Sequence, residues 1–221
     1  NRAISIWMQQ MAGTGRQWLT IDAPYIIDEN TFGSFATYYT GGGLIGLRSI
    51  QRQARAANDR LYLGIAQVWE AMLVGYMTDI WGDIPYREAV TPEIRTPKLD
   101  PQQQVYADVQ RLLDEAIGNL SAGGVGPGSF DLIYGGSRDR WVRLARTLKA
   151  RYFLHVAERD PQAYAQALAQ ANQGIEAPAG DFRTYQSGNA GEENQWFQFR
   201  RGRGTDIGAS AYMVGLLENR S

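Results

Sequence analysis

The segment 59–86 constrains the fold of this chain more than any other. Its apolar residues recur every three or four positions and form one wide stripe with the period of an α-helix. That stripe consists of Leu61, Ile65, Val68, Trp69, Met72, Leu73, Tyr76 and Ile80. Gly82 suits the residue that closes a helix, and Pro85 prevents the helix from continuing. We therefore predict a long amphipathic helix from about Asp59 to Trp81, followed by a turn.

Similar periodicity predicts further helices on both sides of this one. Asp100 and Asp160 each precede a proline, the pairing expected of an N-cap residue and the first helical position. Gln103 stands at the capping-box position relative to Asp100. Strand-like alternation is weak, and its best candidate is the segment 196–199. The other predicted helices span about 44–57, 100–122, 138–157, 160–177 and 209–219.

These elements predict an all-α fold of antiparallel helical hairpins joined by short or glycine-rich loops. Tetratricopeptide arrays consist of such hairpins in series. The helix starts at Asp100 and Asp160 are farther apart than one such repeat of about 34 residues, so the pattern alone leaves a tetratricopeptide assignment open.

Composition and missing motifs exclude several classes of function. A net charge of −1 gives no overall field for holding nucleic acid. The chain has no cysteine and a single histidine, His155, which removes thiolate catalysis and the usual zinc sites. The segment 41–46 matches the glycine spacing of a dinucleotide-binding motif. The helix after it, however, is followed by another long helix instead of a strand. Glu192 and Glu193 are adjacent acids that we expect to be solvated. We predict no enzymatic activity, no metal or cofactor, and no nucleic-acid partner.

Aromatic residues outside the helical stripes are the candidates for ligand binding. Trp18, Tyr25 and Trp196 lie in irregular polar segments, and Arg16 is close to the first of them. A flat aromatic ring can pack against the C–H face of a sugar while arginine binds its hydroxyl groups. The alternative is that these rings anchor their loops to the helices. We predict Arg16, Trp18, Tyr25 and Trp196 as ligand-binding residues.

Several runs of residues together resemble the SusD/RagB family of nutrient-binding outer-membrane lipoproteins. Residues 79–89 read D-I-W-G-D-I-P-Y-R-E-A, similar to the family pattern D-x-[FWY]-G-D-[VI]-P-Y-x-E-A. The order and spacing of the runs agree with the family over about 60–176. Departures are Ser137, where aspartate is usual, and Arg146-Thr147, where Asn-Ser is common. The similarity continues at 100–109 (DPQQQVYADV), 112–117 (LLDEAI), 131–136 (DLIYGG) and 141–151 (WVRLARTLKAR).

The resemblance implies capture of a nutrient rather than a reaction. SusD-like proteins are held at the outer face of the outer membrane by an N-terminal lipid, cap a SusC-like TonB-dependent transporter, and bind oligosaccharides or peptides for import. The implied fold is a tetratricopeptide-like right-handed superhelix with irregular loops. In the turn after the long helix, Asp83 is expected to cap backbone donors and Tyr86 to pack on the helices. The alternative is a structural helical-repeat adaptor that binds another protein.

Family members are longer than this chain, so we interpret 1–221 as one incomplete SusD-like domain. Residues 1–58 are expected to supply N-terminal helices and ligand loops. The tetratricopeptide-like helices are expected at 59–176, and a loop region with the last helix at 177–221. The lipid attachment site is expected upstream of the sequence.

Overall fold

The computed structural model describes residues 2–23 and 35–220 of the chain. These residues form two compact units, a terminal unit from 1–35 and 185–221 and a central unit from 36–184. Helices dominate both units, which confirms the predicted all-α class. In chain order they are α1 (Arg2–Trp7), α2 (Arg16–Asp22), α3 (Leu44–Ala56), α4 (Arg60–Trp81), α5 (Gln102–Ala122), α6 (Arg138–Val156), α7 (Gln162–Ala171), α8 (Gln195–Arg203) and α9 (Ala211–Glu218). Two short strands, β1 (Met11–Gly13) and β2 (Ile207–Ala209), accompany them, with 3₁₀ turns at Phe35–Tyr38, Gly128–Phe130 and Pro178–Gly180.

The central unit is a series of helical hairpins, as predicted. From α3 to α7, each pair of consecutive helices packs together: α3 with α4, α4 with α5, α5 with α6 and α6 with α7. α4 begins where the Asp59 carboxylate accepts the N–H of Tyr62 at 3.0 Å, and it ends at Gly82, whose φ of 71° suits a residue without a side chain. The core between these helices includes the fully buried side chains Val68, Val74, Met77, Val105, Val109, Leu113, Leu120 and Trp141.

The predicted capping box at the start of α5 is wrong. The N–H of Gln102 donates to the Asp83 carboxylate at 2.8 Å, so the cap comes from the turn after α4. Asp100 instead accepts the backbone N–H groups of Tyr86 and Arg87, at 3.0 and 2.8 Å. Asp83, which follows α4, therefore holds the start of α5, and Asp100, which precedes α5, holds the turn after α4. Together they close the α4–α5 connection on itself. The expectation that Asp83 caps backbone donors is confirmed.

α7 ends earlier than its apolar pattern predicts. The pattern continues to about residue 177, but the helix stops at Ala171. Thr147 on α6 accepts the N–H of Ile175 at 2.9 Å, which withdraws that donor from the helix. A Cβ atom at Gly174 would lie 2.6 Å from the Thr147 hydroxyl oxygen, so glycine allows the close approach. A contact with α6 thus overrides the local helical pattern.

In the terminal unit, β1 and β2 pair antiparallel, with Met11 opposite Ala209 and Gly13 opposite Ile207. The strand suggested by alternation at 196–199 is wrong, because this segment lies in α8. Asn194 starts that helix by accepting the N–H of Trp196 at 2.8 Å. In the helix, the rings of Trp196 and Phe199 fall on the same side, three residues apart.

The approach of α4 to α5 predicts opposite effects for two glycine-to-alanine changes. A Cβ atom at Gly64 would lie 2.9 Å from the backbone nitrogen of Leu120 and 3.0 Å from the carbonyl oxygen of Ala116. We expect Gly64→Ala to lower the free energy of unfolding by about 1–3 kcal/mol, since backbone atoms cannot move aside cheaply. Urea denaturation followed by far-ultraviolet circular dichroism measures the change.

Gly118, on an exposed position of α5, is the matched control. A Cβ atom there meets nothing within 4 Å. Gly118→Ala should therefore raise the free energy of unfolding by about 0.5–1 kcal/mol through helix propensity. Equal shifts for both variants would contradict a close contact between the two helices at Gly64.

Candidate functional site

The turn after α4 is held by a buried polar network rather than open to a ligand. The Glu70 carboxylate accepts hydrogen bonds from Arg48 at 3.2 Å, from Tyr86 at 3.1 Å and from the Gln51 amide at 2.5 Å. Arg48 also donates to the carbonyl oxygens of Tyr86 and Ala89, at 2.9 and 2.6 Å. Burial and the neighbouring Glu70 carboxylate raise the pKa of the Tyr86 phenol, so Tyr86 remains a donor. This confirms that Tyr86 packs on the helices and makes the turn a structural element.

Two of the predicted ligand residues meet in the terminal unit. Trp18 on α2 and Trp196 on α8 each contact the ring of Phe199 edge-on, with ring centroids 5.9 and 6.5 Å apart. The guanidinium of Arg2 lies 4.3 Å from the centroid of Phe199 and 6.0 Å from that of Trp196. Both indoles are half-buried. Sequence reasoning missed Phe199 and Arg2, although the aromatic alternation at 196–199 is a signal for the first.

Arg16 is placed beside a buried acid instead of an aromatic face. It lies 3.7 Å from the carboxylate of Asp206, which is 2% exposed, whereas the side chain of Arg16 is 63% exposed. Its backbone adopts a φ of 51°, a conformation that costs a residue with a side chain about 1 kcal/mol. The indole N–H of Trp18 is buried and donates to no acceptor among the residues described. Tyr25, the fourth predicted residue, lies outside the described residues.

A groove in the central unit was missed by sequence reasoning. It runs between α4 and α6, has a volume of about 470 Å³, and is also lined by Phe182. From the stripe of α4, the residues Trp69, Met72, Leu73 and Tyr76 line it and stay half-exposed. Trp69 thus belongs to the apolar stripe of α4 without being fully buried, whereas Tyr152 is 3% exposed and belongs to the core.

An acidic side chain lies at one end of this groove in a fixed orientation. One oxygen of the Asp79 carboxylate accepts the hydroxyl of Tyr106 at 2.6 Å and lies 2.8 Å from Nδ1 of His155. Burial is the main cause that raises the pKa of the Tyr106 phenol, and the hydrogen bond to Asp79 adds to it. His155 is thus a partly exposed residue whose ring helps to position the Asp79 carboxylate.

Metal and membrane-spanning elements are not found in the described ranges 2–23 and 35–220. No group of three or more metal-ligating side chains converges there. Within the same ranges, no helix combines the length and apolar character needed to cross a bilayer.

Comparison with known proteins identifies the family. A family model described as "Starch-binding associating with outer membrane", of SusD-like proteins, matches residues 2–220. The chain belongs to this SusD-like family, and the resemblance seen in its motifs is confirmed. A search of curated proteins found no match.

Solved structures share the fold. A SusD/RagB family protein from Bacteroides thetaiotaomicron is 24% identical, with a TM-score of 0.84 over 95% of this chain and 45% of its own. A chitin-binding protein is 23% identical, with a TM-score of 0.81 over 97% and 46%. A chitin-binding SusD homolog from Flavobacterium johnsoniae is 20% identical, with a TM-score of 0.77 over 95% and 44%. The chain thus spans less than half the length of these relatives.

Proposed function

We propose that this chain is the binding part of a surface protein that captures oligosaccharides and delivers them to a SusC-like TonB-dependent transporter. It is held at the outer face of the outer membrane through an N-terminal lipid. Membership of a family described as starch-binding and outer-membrane-associated supports both the ligand class and the location. Two of the structural relatives are chitin-binding proteins, which favours glycans over peptides.

The observation that carries the proposal is the convergence of Trp18 and Trp196 on Phe199. Two half-buried indoles joined by a third ring offer adjacent apolar faces. Sugar rings expose C–H groups on one side and hydroxyl groups around the edge, so an aromatic face with a nearby cation matches both features. Arg2 provides that cation at the cluster, whereas Arg16 on α2 pairs with Asp206 instead.

The pKa shifts of Glu192 and Glu193 bear on whether the chain binds a ligand or also cleaves it. Hydrogen bonds from Ser187 and Asn189 lower the pKa of the Glu192 carboxyl. The hydrogen bond from Arg201 lowers the pKa of Glu193. A glycosidase needs one carboxyl group whose pKa is raised so that it can donate a proton. Both acids are shifted in the opposite direction, so neither of them matches the proton-donating carboxyl group of a hydrolase.

The test is isothermal titration of the chain with maltohexaose and chitohexaose, with a peptide mixture as the other ligand class. We expect Trp196→Ala to weaken oligosaccharide binding about tenfold, because a stacked ring contributes on the order of 1–2 kcal/mol. Trp18→Ala should act in the same direction. Tyr212→Ala is the control, since this ring on α9 is 58% exposed and contacts no other described ring.

Equal oligosaccharide affinities for Trp196→Ala and the control would show that the aromatic cluster is not part of the binding site. Binding of peptides alone would change the ligand class. The transporter partner is tested separately by co-purification of the full-length lipoprotein from outer membranes. A large membrane-embedded partner supports delivery to a transporter, whereas a soluble partner supports the helical-repeat adaptor.

A further inference from the structure

We propose that the groove between α4 and α6 is a second oligosaccharide-binding site, separate from the aromatic cluster of the terminal unit. The inference takes its ligand class from the proposed function but depends on different residues. All of these residues belong to the central unit. A volume of about 470 Å³ lies within the range of about 300–1,000 Å³ that is typical of small-ligand sites.

The walls of the groove provide aromatic faces. Trp69 packs edge-on against Phe182, with ring centroids 5.3 Å apart, and rests on Trp141 behind it at 6.2 Å. Trp141 is fully buried, so it fixes the indole of Trp69 from below. Tyr76 lies two turns further along the same face of α4 and also lines the groove. Rings fixed in this way lose little freedom when a ligand packs on them.

Three polar groups of residues that line the groove have no hydrogen-bonding partner within residues 2–23 and 35–220. Arg151 forms no ion pair or hydrogen bond with any residue in the described part of the chain, although it lines the groove. The indole N–H of Trp69 likewise donates to none of the described residues. On Asp79, both hydrogen bonds go to Oδ1, which leaves Oδ2 without a described donor. The groove therefore combines two donors and one acceptor with its aromatic walls.

This combination fits a sugar better than an apolar segment of protein. An apolar helix or strand in the groove would remove the Arg151 guanidinium and the Asp79 carboxylate from water without replacing their hydrogen bonds, which is costly. A sugar hydroxyl both donates and accepts, so one ring can satisfy an arginine and a carboxylate while its C–H face covers Trp69. Few convergent polar groups in an otherwise apolar pocket are typical of small-ligand sites.

The test uses the whole chain and two pairs of substitutions, alone and combined. Asp79→Asn with Arg151→Gln alters the groove, and Trp18→Ala with Trp196→Ala alters the terminal cluster. Maltohexaose and chitohexaose are titrated calorimetrically into each variant. Arg140→Gln is the matched control, because this arginine is exposed on α6 outside the groove. Circular dichroism verifies that the variants keep the helical fold.

We expect two binding sites in the unmodified chain and one in each paired variant. The groove pair should lose its site through at least a roughly tenfold drop in affinity, while Arg140→Gln changes nothing. Trp69→Phe tests the same site without touching a charge, because phenylalanine keeps the packing but loses the donor and part of the face.

The two proposals fail in different ways. If the groove pair and Trp69→Phe both bind like the unmodified chain, the groove is not a sugar site, whatever the terminal cluster does. If the paired Trp18 and Trp196 substitutions change nothing while the groove pair removes binding, the proposed site at the terminal cluster is wrong and the inference about the groove is supported. If the Trp18 and Trp196 pair alone removes all binding, the inference about the groove is overturned and the proposed function stands.

Discussion

Replacing Glu70 with alanine is expected to lower the free energy of unfolding by about 3 kcal/mol or more. The Glu70 side chain is 5% exposed and accepts hydrogen bonds from Arg48, Gln51 and Tyr86. Without the carboxylate, the Gln51 amide and the Tyr86 hydroxyl become buried donors with no acceptor, and the Arg48 guanidinium, 23% exposed, loses its counter-charge. The midpoint of urea denaturation, followed by circular dichroism, measures the loss.

A double-mutant cycle distinguishes the loss of this hydrogen-bond network from a general loss of stability. Tyr86→Phe alone removes one hydrogen bond and should cost about 1 kcal/mol. In the Glu70→Ala background it should cost almost nothing, because the acceptor has already gone. Glu93→Ala, at an exposed position in the loop before α5, is the control and should leave stability unchanged. Additive effects of the Glu70 and Tyr86 changes would contradict a shared network.

The network explains why a long amphipathic helix carries a buried acid. Glu70 lies on the face of α4 that meets α3, and Arg48 reaches past it to two carbonyl oxygens of the turn after α4. The two helices and the turn are therefore joined through charged hydrogen bonds, in addition to apolar packing. We infer that this connection fixes the relative position of α3 and the turn, because Arg48 reaches Glu70 and both carbonyl oxygens of the turn at once.

The helices of the central unit were predictable because their signals are local. The helical stripe and the glycine at position 82 act within a few residues, and both are confirmed. The cap of α4 by Asp59 is equally local. The cap of α5 was not predictable in the same way. Its acceptor, Asp83, precedes the helix by nearly twenty residues and reaches it only through the pairing of Ile84 with Asp100. The local sequence spacing favoured Asp100 as the cap of α5, but Asp100 instead accepts hydrogen bonds from the turn after α4.

The candidate sites show the same limit. Trp18 and Trp196 were identified because packing of a helical stripe in the core does not account for aromatic residues outside such stripes. That both contact Phe199 depends on bringing distant parts of the chain together. The groove escaped prediction because Trp69 shares a stripe with core residues such as Val68. A stripe shows which face of a helix is apolar, and only the packing of neighbouring helices decides how much of that face is covered.

The loop before α6 depends on one carboxylate, and its removal is the other change with a large expected effect. Asp131 accepts the backbone N–H groups of Ile133, Tyr134 and Gly136, at 3.0, 3.3 and 2.8 Å. It also accepts the indole N–H of Trp141 at 2.7 Å. Trp141 is fully buried, so its N–H has no access to water in place of the acid.

We expect Asp131→Ala to lower the free energy of unfolding by about 3 kcal/mol, since donors lose an ionised acceptor and one of them is buried. Asp139→Ala is the control, because its carboxylate is 81% exposed and pairs with an exposed arginine, an arrangement worth at most about 0.5 kcal/mol.

Asp131→Asn separates the loss of acceptors from the loss of volume. Asparagine fills the same space, but one of its two terminal atoms is an amide nitrogen, which would face donors on whichever side it lies. If the carboxylate stabilises the loop by accepting hydrogen bonds on both oxygens, Asp131→Asn should lose most of what Asp131→Ala loses in the urea midpoint. If asparagine instead restores the stability of the unmodified chain, the packing of the side chain matters and the four hydrogen bonds do not. The orientation of Trp141, whose indole supports Trp69 in the groove, would then be set by packing alone.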